Sequence, residues 1–321
     1  MNYKPIIIVV AEPKSVFLEI FFKSIKSKRF KSPLIIICSK KILLNHMKKF
    51  KFKRKINLID KNNLKKYKFN NKRINLIDVD ISTNSSIKVI TNKSNIHIRK
   101  SFDIAFKIIK DGFTYKFING PISKKKFLDK KYPGMTEYIS EKFKIKKSAM
   151  LIFNKKLSVC PVTTHLPLKS VAKIINKKLI IEKIKLVHDF YNKNLGIHPN
   201  IAVVGLNPHC ETIDKINEDE EILKPAVNSV KKLGYSVSGP YPADTIFLKN
   251  NRKKYDVIIG MYHDQVLTPL KTLFEYDAIN ITLGLPFLRI SPDHGPNEKM
   301  VGKNLSNPSS LINALTFLDK N

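Results

Sequence analysis

The sequence predicts an α/β protein of two domains, each with a mostly parallel sheet covered by helices on both faces. Short β-branched runs alternate along the chain with segments whose apolar residues recur at helical spacing, and this alternation is typical of parallel sheets. At 321 residues the chain is longer than one ordinary core needs, and it suits two domains of roughly 150 residues each.

The N-terminal part of the chain contains the first series of alternating elements. Strands are predicted at Ile6–Val10, Pro33–Cys38, the two Ile-Asn-Leu-Ile-Asp copies that begin at Ile56 and Ile74, and Tyr115–Ile118. Helices are predicted at Val16–Ile25, Lys40–Lys49 and Ile98–Lys110. Residues 80–96 are polar and predict a loop. The run from Ile6 is too short for a secretory signal and is followed by no cleavage-like site, which favours a buried first strand.

The second series follows the same pattern. Strands are predicted at Ser148–Phe153, Leu157–Val162, Pro199–Val204, Tyr235–Ser238, Val257–Met261 and Ala278–Leu283. Helices are predicted in two stretches within Leu168–Leu195, at Glu218–Leu233 and at Ser309–Leu318. The polar run Tyr262–Gln265 predicts a loop after its strand, and Gly284-Leu-Pro286 predicts a break.

The amino-acid composition excludes several classes of protein. Hydrophobic residues make up 43%, and no apolar run approaches the roughly 18 residues that span a bilayer. The three cysteines Cys38, Cys160 and Cys210 form no CxxC pair, so we expect neither a disulfide framework nor a cysteine zinc site. A reducing cytoplasm fits this pattern best.

The net charge of +33 is the strongest feature of the composition. Lysine occurs together with abundant Ile and Asn, which share A- and T-rich codons, so genome composition is a sufficient cause. The densest run, Lys48–Lys72, matches no recognised nucleic-acid motif, and solvated surface is its preferred interpretation. A nucleic-acid- or polyanion-binding patch remains the alternative.

Three histidines follow the ends of predicted strands. His165, His209 and His263 close the segments VCPVTTH, IAVVGLNPH and VIIGMYH. Parallel strands place these ends at one edge of the sheet, and three imidazoles with an open position are a catalytic Zn²⁺ arrangement. Such a metal binds a substrate hydroxyl and polarises the carbonyl that replaces it. Hydrogen-bonded loop histidines are the alternative at each position taken singly.

Lys271, Asn280 and Arg289 form a second group of candidates. Arg289 offers a planar fork for a phosphate or carboxylate, and Lys271 offers a point charge, although a lone lysine in this chain is surface by default. Asn280 lies within an otherwise apolar strand and therefore needs a hydrogen-bond partner. The chain contains no G-x-G, so it has neither a Rossmann fingerprint nor a Walker A loop.

Five motifs resemble those of the 4-hydroxythreonine-4-phosphate dehydrogenase family. They are Thr163-Thr-His-Leu-Pro-Leu, Gly205-Leu-Asn-Pro-His, Gly239-Pro-Tyr-Pro-Ala-Asp-Thr, Met261-Tyr-His-Asp-Gln and Asn280-Ile-Thr-Leu-Gly-Leu-Pro-Phe-x-Arg. In order and spacing, the resemblance covers about residues 115 to 305. It implies two α/β/α domains of the isocitrate and isopropylmalate dehydrogenase-like type, with the active site in the interdomain cleft and NAD bound without a Rossmann fingerprint.

The resemblance also implies domain limits and site residues. We expect residues 1–125 and 280–321 on the cofactor side, and residues 126–279 on the metal and dimerisation side. His165, His209 and His263 match the family's metal ligands, which are drawn from both subunits of a homodimer; Zn²⁺ is favoured over Co²⁺ or Mg²⁺. Thr136, Lys271, Asn280 and Arg289 match the family's substrate-binding positions, and Met135 occupies a further one where the family usually has another residue. Asp244 matches a polar residue of the cleft, and His294 with Gly295 falls in the segment near the cofactor. His209, Asp244 and Lys271 are the expected catalytic residues.

The reaction that the resemblance implies is the oxidation of C3 of 4-phosphooxy-threonine by NAD⁺, followed by decarboxylation, in pyridoxal phosphate synthesis. A dehydrogenase of threonate or erythronate 4-phosphate is the alternative. The chain departs from the family at three places. Gly134-Met-Thr-Glu137 replaces Gly-His-Thr-Glu, Ala11-Glu-Pro13 lacks the following glycines, and Cys210-Glu-Thr-Ile-Asp replaces the glycines after Asn-Pro-His. Because methionine cannot donate a hydrogen bond to phosphate, we expect a nearby lysine to replace the missing histidine.

Overall fold

The computed structural model describes residues 3–81, 92–123, 127–128, 132–212, 217–293 and 295–320. Contacts divide the chain into two compact units, Met1–Tyr132 with Pro286–Asn321 and Pro133–Leu285. Each unit is a parallel or mixed sheet packed with helices, so the predicted α/β class is confirmed. The unit limits lie a few residues from the domain limits expected at 125/126 and 279/280.

The first unit contains strands from both ends of the chain. They are β1 (Ile6–Val9), β2 (Leu34–Cys38), β3 (Ile56–Leu58), β4 (Ile74–Asp78), β5 (Lys116–Asn119) and β12 (Leu288–Pro292). Its helices are α1 (Phe17–Ser27), α2 (Lys40–Lys49), α3 (Asn92–Lys110) and α11 (Ser309–Lys320).

The sheet of the first unit has the order β3-β4-β2-β1-β5-β12. Its neighbouring strands all pair in parallel. The four residues of β1 are all 0% exposed, because α3 and α11 pack against this strand. A strand covered on both faces explains why β1 is a continuous apolar run rather than an alternating one.

The second unit is continuous in sequence. Its strands are β6 (Ala149–Phe153), β7 (Ser158–Pro161), β8 (Ile201–Val204), β9 (Val237–Tyr241), β10 (Val257–Gly260) and β11 (Ile279–Leu283). Its α-helices are α4 (Met135–Lys142), α5 (Val171–Ile174), α6 (Lys177–Leu195), α7 (Lys224–Lys231), α8 (Ala243–Ile246), α9 (Lys249–Arg252) and α10 (His263–Phe274).

The strand order of the second unit, β11-β6-β7-β10-β8-β9, decides where its loops meet. β7, β10, β8 and β9 pair in parallel, whereas β6 is antiparallel to both β7 and β11. The carboxyl ends of β7, β10 and β8 therefore lie side by side at one edge of the sheet. In open α/β sheets this edge is where ligands bind.

Helix ends in the second unit follow local sequence. The Oδ1 atom of Asn176 accepts a hydrogen bond from the backbone N–H of Leu179 at 3.0 Å and so caps α6. At the other end of α6, Gly196 adopts a left-handed conformation with φ 66°, which glycine reaches without a Cβ penalty.

One helix, α10, was not predicted, and another, α3, begins earlier than the sequence pattern predicted. The loop expected at Tyr262–Gln265 is wrong beyond its first residue, because α10 begins at His263 and Tyr262 is its N-cap. The loop expected at 80–96 is wrong in its last part, because α3 begins at Asn92; residues 82–91 lie outside the described residues. In both segments polar side chains occupy the first helical turn, where exposed N–H groups favour them.

The described residues bear on two expectations from composition. None of the helices in the described ranges is long and apolar enough to cross a membrane. Cys38, Cys160 and Cys210 are all free thiols, as the absence of paired spacings predicted.

Candidate active site

Three histidines follow the carboxyl ends of neighbouring strands in the second unit. His165 lies four residues beyond the end of β7, His263 three residues beyond β10, and His209 five residues beyond β8. Because β10 is the central strand of the three, His263 is flanked by the strand ends that lead to the other two histidines.

The structure brings two of these imidazoles together. The ring centroids of His165 and His263 lie 6.1 Å apart with an interplanar angle of 38°. His209 is exposed and has a left-handed backbone conformation with φ 57°. Within the described ranges, no three His, Cys, Asp or Glu side chains form a group that could hold a metal ion. The single chain thus assembles a pair of imidazoles rather than a complete set of three.

The first turn of α4 packs against His165. A Cβ on Gly134 would lie 2.6 Å from Cε1 of this imidazole, so only glycine permits the approach. Glu137, three residues further on, has Oε2 4.0 Å from Nδ1 of His165. Its Oε1 accepts a hydrogen bond from the hydroxyl of Thr164 at 3.2 Å. Glu137 was not among the predicted site residues, although its position in the Gly-Met-Thr-Glu motif was a signal for it.

His263 has a carboxylate beside it. Oδ1 of Asp264 lies 2.6 Å from Nδ1 of His263. When Nδ1 carries the proton, this N–H donates a hydrogen bond to the carboxylate, and Nε2 keeps its lone pair for a metal. Metal-binding histidines generally have this arrangement. Asp264 was quoted in the Tyr-His-Asp-Gln motif but was not predicted as a site residue.

The loop that carries His209 is fixed by a buried carboxylate. Asp219 is 0% exposed and accepts hydrogen bonds from the backbone N–H groups of Leu206 and Asn207 at 2.7 and 2.9 Å. It also accepts one from the Asn207 amide at 3.0 Å. Hydrogen bonds to an ionised acceptor are stronger than neutral ones. Asp219 therefore sets the path of the chain just before Pro208 and His209.

Gln265 joins two of the strand ends. Its Nε2 donates to the carbonyl oxygen of Gly205 at 2.7 Å, and its Oε1 accepts from the backbone N–H of Met261 at 2.7 Å. The end of β8 is thus tied to the end of β10 by one amide. This bridge fixes the loop that carries His209 relative to the start of α10, which carries His263.

The predicted substrate-binding residues of the second unit differ in exposure. Thr136 is 8% exposed, and its hydroxyl lies 3.4 Å from that of Thr282. Met135 is also buried, whereas Lys271 and Asp244 are exposed. Oδ1 of Asn280 is buried and has no hydrogen-bond donor among the described residues. A buried amide oxygen of this kind is available to a ligand.

The first unit contains the remaining candidates. Arg289, which follows the predicted break at Gly284-Leu-Pro286, lies within β12 and is only 2% exposed. Its Nε donates to Oδ1 of Asn119 at 2.8 Å, so the guanidinium is oriented by the neighbouring strand β5. Gly295 is exposed, and His294 lies outside the described residues.

Comparison with known proteins identifies the family. The family model described as "Pyridoxal phosphate biosynthetic protein PdxA" matches residues 29–318. The chain belongs to the PdxA family. One relative, the 4-hydroxythreonine-4-phosphate dehydrogenase of Sulfurihydrogenibium sp. (strain YO3AOP1), is 40% identical over 246 residues, which are 75% of this chain and 74% of the relative. The protein of the same name from Ruegeria sp. (strain TM1040) is 37% identical over 67% of this chain and 68% of its own.

Solved structures of PdxA relatives share the fold. A 4-hydroxythreonine-4-phosphate dehydrogenase from Klebsiella pneumoniae has a TM-score of 0.83 at 27% identity, with 98% of both chains covered. One from Burkholderia phymatum has a TM-score of 0.79 at 26% identity, covering 99% of this chain and 98% of its own. The family resemblance read from the sequence motifs is therefore confirmed, and so is the fold class that it implied.

Proposed function

We propose that this chain oxidises 4-phosphooxy-L-threonine to 2-amino-3-oxo-4-phosphooxybutanoate in a reaction that depends on NAD⁺ and a divalent metal. The product then loses CO₂ to give 3-amino-2-oxopropyl phosphate for pyridoxal phosphate synthesis. Membership of the PdxA family supports this proposal, as do the names of the relatives. The structural observation that carries it is the His165–His263 pair at the carboxyl ends of two parallel strands.

The residues fit a divalent metal as part of its ligand set. Ligand nitrogens lie about 2.1 Å from a bound zinc, so two imidazoles that share one ion must lie side by side, as His165 and His263 do. Asp264 orients one of them. We propose that His209 is the third ligand. Because it lies apart from the pair in a single chain, we propose that the ligand set is completed in a homodimer. Imidazole ligands favour Zn²⁺ but also bind Co²⁺.

The proposed chemistry balances with two proton transfers. NAD⁺, when bound, would supply a hydride acceptor for C3, and a metal held by His165 and His263 would polarise the oxygen on that carbon. The carboxylate of Asp244 accepts the hydroxyl proton. After C1 leaves as CO₂, the electron pair left on C2 takes a proton from the ammonium group of Lys271. Both side chains are exposed in the second unit, where they are accessible to a substrate.

Substrate binding is assigned to groups that are already oriented. Thr136 offers a hydroxyl in the first turn of α4, and Asn280 offers a buried amide oxygen that suits the substrate's ammonium group. Arg289 supplies a guanidinium for the phosphate or carboxylate. His294 and Gly295 are proposed near the cofactor. The free cysteines are the basis for proposing a cytoplasmic location.

The deciding experiment measures NADH formation from 4-phosphooxy-L-threonine. Chelator-stripped protein is assayed without metal and with Zn²⁺, Co²⁺ or Mg²⁺, and wild type is compared with His209→Ala and with His198→Ala as an exposed-histidine control. We expect metal-dependent turnover in wild type and in the control, and none in His209→Ala. Folded protein without turnover under any metal would contradict the proposal.

A dehydrogenase of threonate or erythronate 4-phosphate is the second candidate, since the chain departs from the family at Met135. The family's histidine at this position is replaced by a buried apolar side chain, and the alternative substrates lack the amino group. The same assay with these two phosphates separates the candidates. A kcat/KM for either that exceeds the value for 4-phosphooxy-L-threonine would select the second candidate.

A further inference from the structure

A cavity of about 500 Å³ lies in the first unit, away from the candidate site residues. Leu34 and Ile74, the first residues of β2 and β4, are part of its lining. It therefore lies at the amino ends of these parallel strands, the edge opposite to the one where α/β sheets usually bind ligands. Its volume is within the roughly 300–1,000 Å³ of small-molecule sites.

Five cationic side chains line this cavity. They are Lys28, Arg29, Arg54, Lys72 and Arg73. None of the described lining residues is acidic, and within the described ranges none of the five forms an ion pair. Like charges that are gathered without counter-charges repel one another, and an anion in the cavity relieves that repulsion.

The residue type of these cations is a further signal. The chain contains 59 Lys and Arg residues, of which only six are arginine. Three of those six line this one cavity. In a chain whose composition replaces arginine with lysine almost everywhere, guanidinium groups gathered at one place indicate a need for their planar, forked geometry. That geometry matches the oxygens of a phosphate group.

The wall of the cavity is organised before any ligand binds. The Asn71 amide donates to the carbonyl oxygens of Phe30 and Ser32, both at 2.9 Å, and accepts from the Leu34 backbone N–H at 2.9 Å. Arg54 donates to the carbonyl oxygen of Asn71 at 3.3 Å. Loop 70–73 is thereby fixed against the start of β2, which sets the position of Arg73.

Arg54 is held in a partly apolar setting. Its guanidinium carbon lies 5.6 Å from the centroid of the Phe52 ring, a cation–π distance. Burial lowers the pKa of Arg54, which reflects a cation that has lost part of its hydration. Such a group gains more from an anionic ligand than a fully hydrated one does.

The floor of the cavity is apolar. Phe21, Phe30 and Ile36 also line the cavity, and each is less than 10% exposed; we call them its floor. The carboxyl end of α1 is adjacent, and its carbonyl dipoles oppose an anion by the equivalent of about half a charge. Five full charges outweigh that opposition. The combination suits a ligand with a flat apolar part and a phosphate.

We propose that this cavity binds a small molecule that contains both an aromatic ring and a phosphate monoester. Arg29, Arg54 and Arg73 hold the phosphate, and the ring lies on the floor formed by Phe21 and Phe30. The site is separate from the proposed dehydrogenase reaction, to which none of these residues is assigned.

Calorimetric titration of the full-length protein tests the proposal. Saturating NAD⁺ is present throughout, so that the cofactor site is filled. AMP and pyridoxine 5′-phosphate are the probes, and their relative affinities distinguish a nucleotide from a pyridine phosphate. Adenosine, which lacks the phosphate, tests whether the phosphate is needed. Inorganic phosphate, which lacks the ring, tests whether the ring is needed.

Matched variants locate the binding. The triple variant Arg29→Gln, Arg54→Gln, Arg73→Gln removes three cavity charges. Its control, Lys53→Gln, Lys55→Gln, Lys68→Gln, removes three exposed charges at nearby positions whose side chains do not line the cavity. Arg73→Gln alone is also tested, because this side chain is exposed and its replacement should leave the fold intact. This single variant tests the proposal if the triple variant does not fold.

We expect one aromatic phosphate to bind per chain, and the arginine variants to weaken it by about tenfold or more, since each charged hydrogen bond contributes that much. The lysine control should retain wild-type affinity, and turnover should be unchanged in all variants. Failure of both probes to bind would overturn the proposal, and so would equal affinity in the arginine variants. Inorganic phosphate or an oligonucleotide binding more tightly than either probe would also overturn it.

Discussion

Oδ1 of Asp264 lies 2.6 Å from Nδ1 of His263, on the first turn of α10. The carboxylate is 81% exposed on its side chain, so it contributes little to folding. Its effect is to select which nitrogen of the imidazole carries the proton, and this choice decides whether Nε2 is available to a metal.

Asp264→Asn should therefore weaken metal binding without changing stability. We expect about a tenfold loss of Zn²⁺ affinity, the lower end of the range for such carboxylates, measured by competition with a chromogenic chelator. Asp189→Asn is the matched control, because Asp189 follows His188 in the same way, with 3.7 Å between Oδ1 and Nδ1. Equal metal affinity in wild type and Asp264→Asn would show that Asp264 does not orient a metal ligand.

Asp219→Asn should destabilise the loop that carries His209. The substituted amide cannot accept all three hydrogen bonds that the buried carboxylate receives. We expect a loss of about 2 kcal/mol in the free energy of unfolding, measured by urea denaturation, together with a lower kcat. Glu211→Gln, at an exposed position in the same loop, should change neither quantity. A stable Asp219→Asn protein with wild-type kcat would contradict the assigned role.

Met135→His should change the affinity for the phosphorylated substrate little. Our hypothesis is that a nearby lysine already supplies the contact that the family's histidine makes. We expect KM to fall by no more than about threefold, well below the tenfold or more that a new charged hydrogen bond brings. Met135→Leu keeps the apolar volume and serves as the control. A large fall in KM for Met135→His would show that the contact is missing rather than replaced.

His97 should make stability depend on pH. Burial is the main cause that lowers the pKa of this imidazole to about 4, against the smaller opposing effects of Asp80 and Asp78; the side chain is 4% exposed. An unfolded histidine titrates near pH 6.5, so between about pH 6.5 and pH 4 the unfolded chain binds the extra proton. The contribution of His97 to the free energy of unfolding is fully present above this window. It should fall by up to about 3 kcal/mol as the pH drops through the window.

Urea denaturation at pH 7.5, 6 and 5 tests this window. His97→Gln removes the buried imidazole and should flatten the dependence, even though it costs packing at pH 7.5. Burial also lowers the pKa of His46, so part of the slope should remain. His198→Gln, which removes an exposed imidazole, should retain the wild-type slope. An unchanged slope in His97→Gln would refute the assignment.

Several features were readable from local sequence because they depend on neighbours along the chain. The apolar runs of β1, β2, β8 and β10 and the histidines beyond the strands are of this kind. Strand β12 was missed because its Leu-Arg-Ile-Ser-Pro sequence contains a charge and a proline. The structure accommodates Arg289 there because Asn119 on β5 accepts its hydrogen bond, and no local pattern encodes that partner.

The sequence by itself determined the α/β class, the strand ends that carry His165, His209 and His263, and the motifs of the family, since each depends on residue type and spacing. Only the tertiary structure decided that His165 lies beside His263 while His209 stays apart. It also decided that Asp219 is buried beneath the loop of His209 and that three arginines share one cavity. The reason is physical: strand order and side-chain packing are set by contacts between residues distant in sequence, and these contacts leave no periodic trace in the chain.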